Sequence, residues 1–146
     1  MYSIRPATAE DLEPMMTIGH EGIRPYVEAL WGWVQADQER AFRDQFTLQD
    51  ISIVEIAGIS VGYLKIEEHH DHIFLAGIYL GAEHRGSGLG TEVMRGVIQQ
   101  ARERRKQIRL RVLRSNPARH LYGRLGFRET ECTATHVHME FNASAA

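Results

Sequence analysis

At 146 residues, 43% of them apolar and 25% charged, the chain has the size and composition of one ordinary globular domain with a real core. No apolar run approaches the roughly 20 residues that span a bilayer, and Arg5, Glu10, Asp11 and Glu13 leave no apolar signal region near the start. Neither a membrane nor export is therefore expected, and one cysteine, Cys132, excludes an internal disulfide and fits a reducing cytoplasm.

Tyr2–Pro6 reads as a short first strand, and Thr8 or Ala9 opens a helix whose first turn carries Glu10, Asp11 and Glu13, where the macrodipole favours acids. That helix bears Leu12, Met15, Met16 and Ile18 and is expected to fade near Gly19–Gly22. Residues 23–33 hold Tyr26 and the group Trp31-Gly32-Trp33; a second helix follows from about Ala36 to Phe46, with Ala41, Phe42, Gln45 and Phe46 on one side. Ile51–Ile56 and Ile59–Glu67 are two strands around an Ala57-Gly58 hairpin turn. The polar run Glu67-Glu68-His69-His70-Asp71-His72 then leads into a central strand, Ile73–Leu80. This run has metal-ligand residue types, as does His136-x-His138, but no pairing at defined ligand spacing, so no metal is expected.

A loop from Gly81 to Gly90 joins the central strand to an amphipathic helix that runs to about Lys106. Its Leu89, Val93, Val97, Ile98 and Ala101 follow the 3.6-residue period, and Arg102, Arg104, Arg105 and Lys106 end it where positive charge is favoured. Ile108, Leu110 and Val112 alternate with Arg109 and Arg111 in the next strand. Pro117 opens a short helix carrying Leu121, Tyr122 and Leu125, Gly126 ends it, and Phe127 starts a strand. In the last strand, Thr135–Phe141, Val137, Met139 and Phe141 alternate with His136, His138 and Glu140.

The loop Arg85-Gly86-Ser87-Gly88-Leu89-Gly90 has glycine at every second position and feeds a helix N-terminus. Glycine supplies positive φ and permits close approach to the main chain. The first N–H groups of a helix lack internal partners and attract negative charge, so strand, glycine turn and helix together form a candidate phosphate cradle. Its spacing is not that of a P-loop, because Ser87 follows Gly86 directly, nor of the dinucleotide fingerprint, because residue 91 is Thr91. What stands is Arg-x-x-Gly-x-Gly, filled by Arg85, Gly88 and Gly90.

That spacing resembles the pyrophosphate motif of the GNAT superfamily, the acyl-CoA-dependent N-acyltransferases. Residues 78–90 are similar to the family's hydrophobic strand, acidic turn and glycine loop in register. Downstream, Asn116-Pro117-Ala118-Arg119-His120-Leu121-Tyr122-Gly123-Arg124-Leu125-Gly126-Phe127 resembles its Asn-x-x-Ala-x-x-x-Tyr-x-x-x-Gly-Phe signature, and Ile4–Thr8 followed by Asp11-Leu12 its first strand and helix entry. The resemblance is specific from residue 73 to 127 and weak between 20 and 50. It implies a single N-acetyltransferase domain over residues 1–146 of α+β (three-layer α/β) class: a mixed, largely antiparallel twisted sheet of six to seven strands flanked by about four helices.

For chemistry, the resemblance implies acetyl-CoA as co-substrate and direct attack by a primary amine in a ternary complex, without an acyl-enzyme. The main chain from Arg85 through Gly86, Ser87, Gly88, Leu89 and Gly90 to Thr91 would hold the pyrophosphate. Ile78, Tyr79 and Leu80 on the splayed strand would offer main-chain groups to the pantetheine arm, and an N–H there to the thioester carbonyl. Asn116 matches the cofactor-side asparagine and is equally placed as a helix cap. Tyr122 matches the tyrosine that protonates the departing thiolate, its packing alternative being a seat between Leu121 and Leu125. The family's early helix-loop-helix region lines the acceptor side, which makes Tyr26, Trp31 and Trp33 candidates for the amine pocket, with core packing as the plain alternative. Some members place a base glutamate in the central strand where this chain has Phe74; His72, Glu28, Glu83, Tyr79 and a water chain remain open.

Charge adds a weaker argument. Residues 1–90 hold 6 Lys and Arg against 14 Asp and Glu, while residues 91–146 hold 11 against 5. The basic part suits a phosphorylated cofactor, and without an aromatic-interleaved basic face nucleic acid is set aside; the acidic part suits a cationic amine, small molecule or peptide. Two competing readings stand beside the cytoplasmic enzyme, a catalytically inactive acyl-CoA sensor or scaffold and a basic binding module. A homodimer is the one protein partnership kept open.

Overall fold

The computed structural model describes residues 1–143. In chain order the elements are β1 (Tyr2–Pro6), α1 (Leu12–Trp31), α2 (Gln35–Gln45), β2 (Ile51–Ile56), β3 (Ile59–Glu68) and β4 (His72–Leu80), then α3 (Leu89–Arg104), β5 (Gln107–Leu113), α4 (Ala118–Arg124), β6 (Arg128–Cys132) and β7 (His136–Phe141). The strand order is β1-β2-β3-β4-β5-β7-β6. The β4–β5 pair is parallel, while β1–β2, β2–β3, β5–β7 and β6–β7 are antiparallel. This is the mixed, mostly antiparallel sheet with four helices that the family resemblance implies. No helix of the described residues is long and apolar enough to cross a membrane.

The chain forms two compact units. The first is Met1–Lys65 with Ile78–Arg85, the second Ile66–Gly77 with everything from Gly86 onward.

In the first unit, α1 corrects the expectation of a break at Gly19–Gly22, because it runs through both glycines and Pro25 to Trp31. The glycines are seats for rings: a Cβ on Gly19 would stand 2.5 Å from the Tyr63 hydroxyl, and one on Gly22 3.5 Å from the Tyr79 ring. Packing overrides a helix propensity cost of about 1 kcal/mol per glycine. The helix buries Met15, Met16, Gly19 and His20. Met15 joins Ala7, Ile51, Ile53 and Tyr63 in a buried cluster, against which Ile18, Phe42, Phe46 and Tyr79 pack. α2 buries none of its residues. Phe42 is half-buried, but Ala41 and Gln45 are exposed, so its apolar side is narrower than expected. Ala57 and Gly58 both have positive φ, 52° and 79°, as the tightest hairpin turn demands.

An ion cluster closes the start of this unit. Arg5 donates to both Asp11 oxygens at 2.9 Å and to Glu55 at 2.8 Å, and the Thr8 N–H donates to Asp11 at 2.8 Å. Asp11 is only 7% exposed, and the Arg5 guanidinium lowers its pKa to about 2. A depressed carboxyl stabilises the fold above its unfolded pKa, and that contribution disappears as pH falls from about 4 to about 2. We expect Asp11→Asn to cost about 1–2 kcal/mol at pH 7, given that Arg5 is partly solvated. In urea melts the gap from the parent should narrow as pH falls below about 4 and be nearly closed at about pH 2; an undiminished gap at that pH would refute the ionic origin.

In the second unit, α3 buries Leu89, Val93, Met94, Val97, Ile98 and Ala101. These lie with Ile108, Leu110, Val112, Phe127, Val137 and Met139 among the unit's buried apolar residues. Arg104 pairs with Glu68, and Lys106 Nζ donates to the His69 carbonyl at 2.8 Å. The parallel β4–β5 register covers four pairs, from His72↔Gln107 to Leu75↔Leu110. β5 continues beyond it, paired with β7 as far as Leu113↔His136.

Candidate functional site

The glycine loop has the conformation its sequence demands. Residues 82–84 make one tight turn, and Gly86 and Gly88 then take φ of 72° and 87°. Gly88 caps α3 in the left-handed region, and the Glu92 N–H donates to its carbonyl at 3.1 Å as the first bond of the helix. The N–H groups of Leu89, Gly90 and Thr91 therefore precede the helical ladder and have no acceptor within it. A Cβ on Gly86 or Gly88 would meet nothing within 4 Å. These two glycines thus serve φ rather than tight packing, and their side of the loop is open. Gly86, Ser87 and Gly88 are exposed, Gly90 and Thr91 half-buried, and Leu89 buried, so Leu89 anchors the helix start in the core of its unit. Arg85 spends its Nε on the Leu80 carbonyl at 3.1 Å, which ties the end of β4 to the loop entrance.

Elsewhere in the second unit, the Asn116 side-chain oxygen accepts the Ala118 N–H at 2.9 Å, so its capping role is present. Tyr122 is 5% exposed, its ring 5.7 Å from that of Phe127, which in turn lies 5.4 Å from Phe141. The ring is therefore packed, with Phe127 as its aromatic neighbour. His72 has Nδ1 2.8 Å from Asp71 Oδ1 and its ring stacked on His69 at 4.6 Å. The hydrogen bond to His72 lowers the Asp71 carboxyl below its usual range. Phe74 stands opposite Arg109 in the parallel register.

The first unit holds the rest. Ile78, Tyr79 and Leu80 are half-buried. The Tyr79 ring lies 5.0 Å from Tyr63, and burial pushes the Tyr79 phenol up, which argues against it as a base near neutrality. Glu28 accepts from Arg24 at 3.3 Å on an exposed stretch of α1, and Glu83 lies in the exposed part of the tight turn. Trp31 is 60% exposed. Trp33 and Tyr26 are half-buried; Trp33 donates from Nε1 to Gln35 at 2.8 Å, under the Arg24 guanidinium at 5.2 Å. No group of three or more His, Cys, Asp or Glu suited to a metal ion occurs among the described residues.

Sequence reasoning passed over His20, which is buried with Trp33 and Phe42 edge-on to its ring at 5.1 and 5.6 Å. The signal was present: 15, 16, 19 and 20 share one helical face, and the first two are methionines.

Comparison with known proteins adds an independent line. The acetyltransferase (GNAT) family model matches residues 12–127. Among solved structures, the PaiA N-acetyltransferase of Thermoplasma acidophilum in complex with coenzyme A superposes with a TM-score of 0.79 at 17% identity, covering 97% of this chain and 99% of that one. The ribosomal-protein-S18-alanine N-acetyltransferase of Escherichia coli gives 0.75 at 20% identity, covering 100% and 96%. The yncA protein of Salmonella typhimurium, with its cofactor acetyl-CoA, gives 0.67 at 17% identity, again covering 100% and 96%. No curated protein sequence matches the chain.

Proposed function

The chain belongs to the acetyltransferase (GNAT) family, and we propose that it moves the acetyl group of acetyl-CoA to a primary amine by direct attack in a ternary complex in the cytoplasm. The observation that carries this reading is the turn before α3: two glycines in the left-handed region, open space on their side, and helix N–H groups ahead of the ladder. Such a turn supports a diphosphate at this helix N-terminus, where unladdered N–H groups and the helix dipole favour an anion. Acetyl-CoA supplies an activated acyl group as a thioester.

The chain's own groups then have distinct tasks. The main chain of Arg85–Thr91 holds the diphosphate. Ile78–Leu80 offer main-chain hydrogen bonds to the pantetheine arm, and Asn116 adds a side-chain amide on the cofactor side while capping α4. Tyr122 Oη delivers a proton to the departing sulfur. The acceptor is a small-molecule or peptide amine. The solved relatives that carry CoA or acetyl-CoA support the cofactor, and the one that acts on a ribosomal-protein alanine supports a peptide amine among the acceptors.

Calorimetric titration with CoA tests the reading. Gly88→Val should weaken binding by about tenfold or more, since a β-branched residue pays heavily for φ near 87°; the open space means that no neighbour is displaced, and a thermal melt of the variant reads what the strain itself costs the fold. Absence of heat with the parent protein would remove the cofactor, and an unchanged variant would remove the turn. Release of free thiol from acetyl-CoA across an amine panel then separates an enzyme from a sensor.

A further inference from the structure

His20 Nε2 is sealed from solvent and reaches no hydrogen-bond partner, on a residue 9% exposed. Such an atom calls for an explanation, because buried polar groups in native structures are almost always paired. Trp33 and Phe42 present edges to the ring. Among charged and titratable groups around it, α2 contributes the Gln38 main chain and the Glu39 carboxylate, both favouring the protonated ring. Arg24 of α1 lies over Trp33. From β3, Tyr63 stands behind Phe42 at 6.1 Å, its phenol kept neutral by burial. Burial outweighs the two favourable groups and lowers the His20 pKa.

The segment that closes over this ring is weakly held. α2 buries none of its own residues. Phe42 and Phe46 rest on the cluster around Met15 and Tyr63, and Arg43 pairs with Glu13 at 2.8 Å in an exposed position, where an ion pair contributes little. A proton on His20 would place a charge in an aromatic shell and an Nε2–H with no hydrogen-bond partner, a state whose desolvation cost exceeds what the Gln38 main chain and the Glu39 carboxylate return. The ring regains water only if Trp33 and Phe42 part from α1.

We propose that His20 is an acid-released latch: uncharged, it lets the segment from Trp33 to Gln45 close on α1, and protonated, it frees that segment while the rest of the unit stays folded. The sign follows from linkage. The open segment binds the proton at the ordinary imidazole value of about 6.5 and the closed one only at a lower pH, so closure is full above about 6.5. Below that value the open-to-closed ratio rises by up to about tenfold per pH unit, until the closed form also protonates. The latch operates whatever amine the protein acetylates.

Hydrogen exchange resolved by peptide, corrected for intrinsic rates and run from pH 7.5 to 5.0, tests it. Opening of residues 33–46 should rise about tenfold or more in the parent, with α3 unchanged. In His20→Phe, which keeps a ring edge-on to its neighbours but cannot titrate, the segment should stay closed throughout. Should that variant misfold, NMR titration of the parent ring carbon protons decides: a midpoint below 6.5, coincident with loss of protection in 33–46, supports the latch. A midpoint at or above 6.5, a pH-independent segment, or the same pH response in His20→Phe as in the parent would overturn it.

Discussion

Tyr122→Phe is expected to lower turnover by about a hundredfold or more while CoA affinity stays within about twofold, since general acids typically contribute 10²–10⁴-fold. The substitution is clean. The ring is 5% exposed and packs on Phe127, and phenylalanine refills that volume, so the hydroxyl is the only group removed. Single-turnover thiol release measures the chemical step, and calorimetry measures the affinity. Loss of both together would point to a binding role, and unchanged turnover would take the proton-donor role from Tyr122.

The second large effect is structural. A Cβ on Gly62 would stand 2.2 Å from the Tyr79 carbonyl oxygen, 2.8 Å from Leu80 Cδ2 and 3.1 Å from Leu80 Cα. Two of those three neighbours are main chain, which has no rotamer to escape into. Gly62→Ala therefore has to displace β3 from the residues of β4 proposed to meet the pantetheine arm. We expect a loss of about 3 kcal/mol, read as a drop in Tm of about 10 °C, together with weakened CoA binding. A melting point within about 2 °C of the parent would show that the strands yield more easily than their close approach implies. Gly62 itself carries no motif, and nothing in its sequence neighbourhood distinguishes it from a strand glycine of no consequence.

That contrast explains how much of this protein could be read in advance. Local signals were reliable where local physics decides. Ala57-Gly58 announced its turn, the 3.6-residue spacing of Leu89, Val93, Val97, Ile98 and Ala101 marked the inner face of α3, and period-2 alternation found β5 and β7. The same logic failed at Gly19 and Gly22. A glycine pair looks like a helix end until it is known that Tyr63 and Tyr79 lie against it, and that knowledge is tertiary. Met94, fully buried, was passed over beside Val93 for a milder reason, since the inner face of α3 is broader than one residue per turn. In the candidate site, the conformation of the loop and the capping by Asn116 could be anticipated. The four-pair length of the β4–β5 ladder could not, because it depends on the meeting of two strands far apart in sequence. His20 was visible as a residue on an apolar face, but the sealing of its Nε2 depends on Trp33 and Phe42 folding over it.

The register also has a kinetic consequence. β2 and β3 meet across a two-residue turn, and β6 and β7 across the short link from Cys132 to His136, so these pairs close loops at little entropic cost. β1 must wait for residues near 52 to 56, and β4 finds β5 only after the whole of α3 has been spanned. The search for those remote partners should govern how fast the chain reaches its native state, placing it with mixed α/β topologies rather than with fast helical bundles.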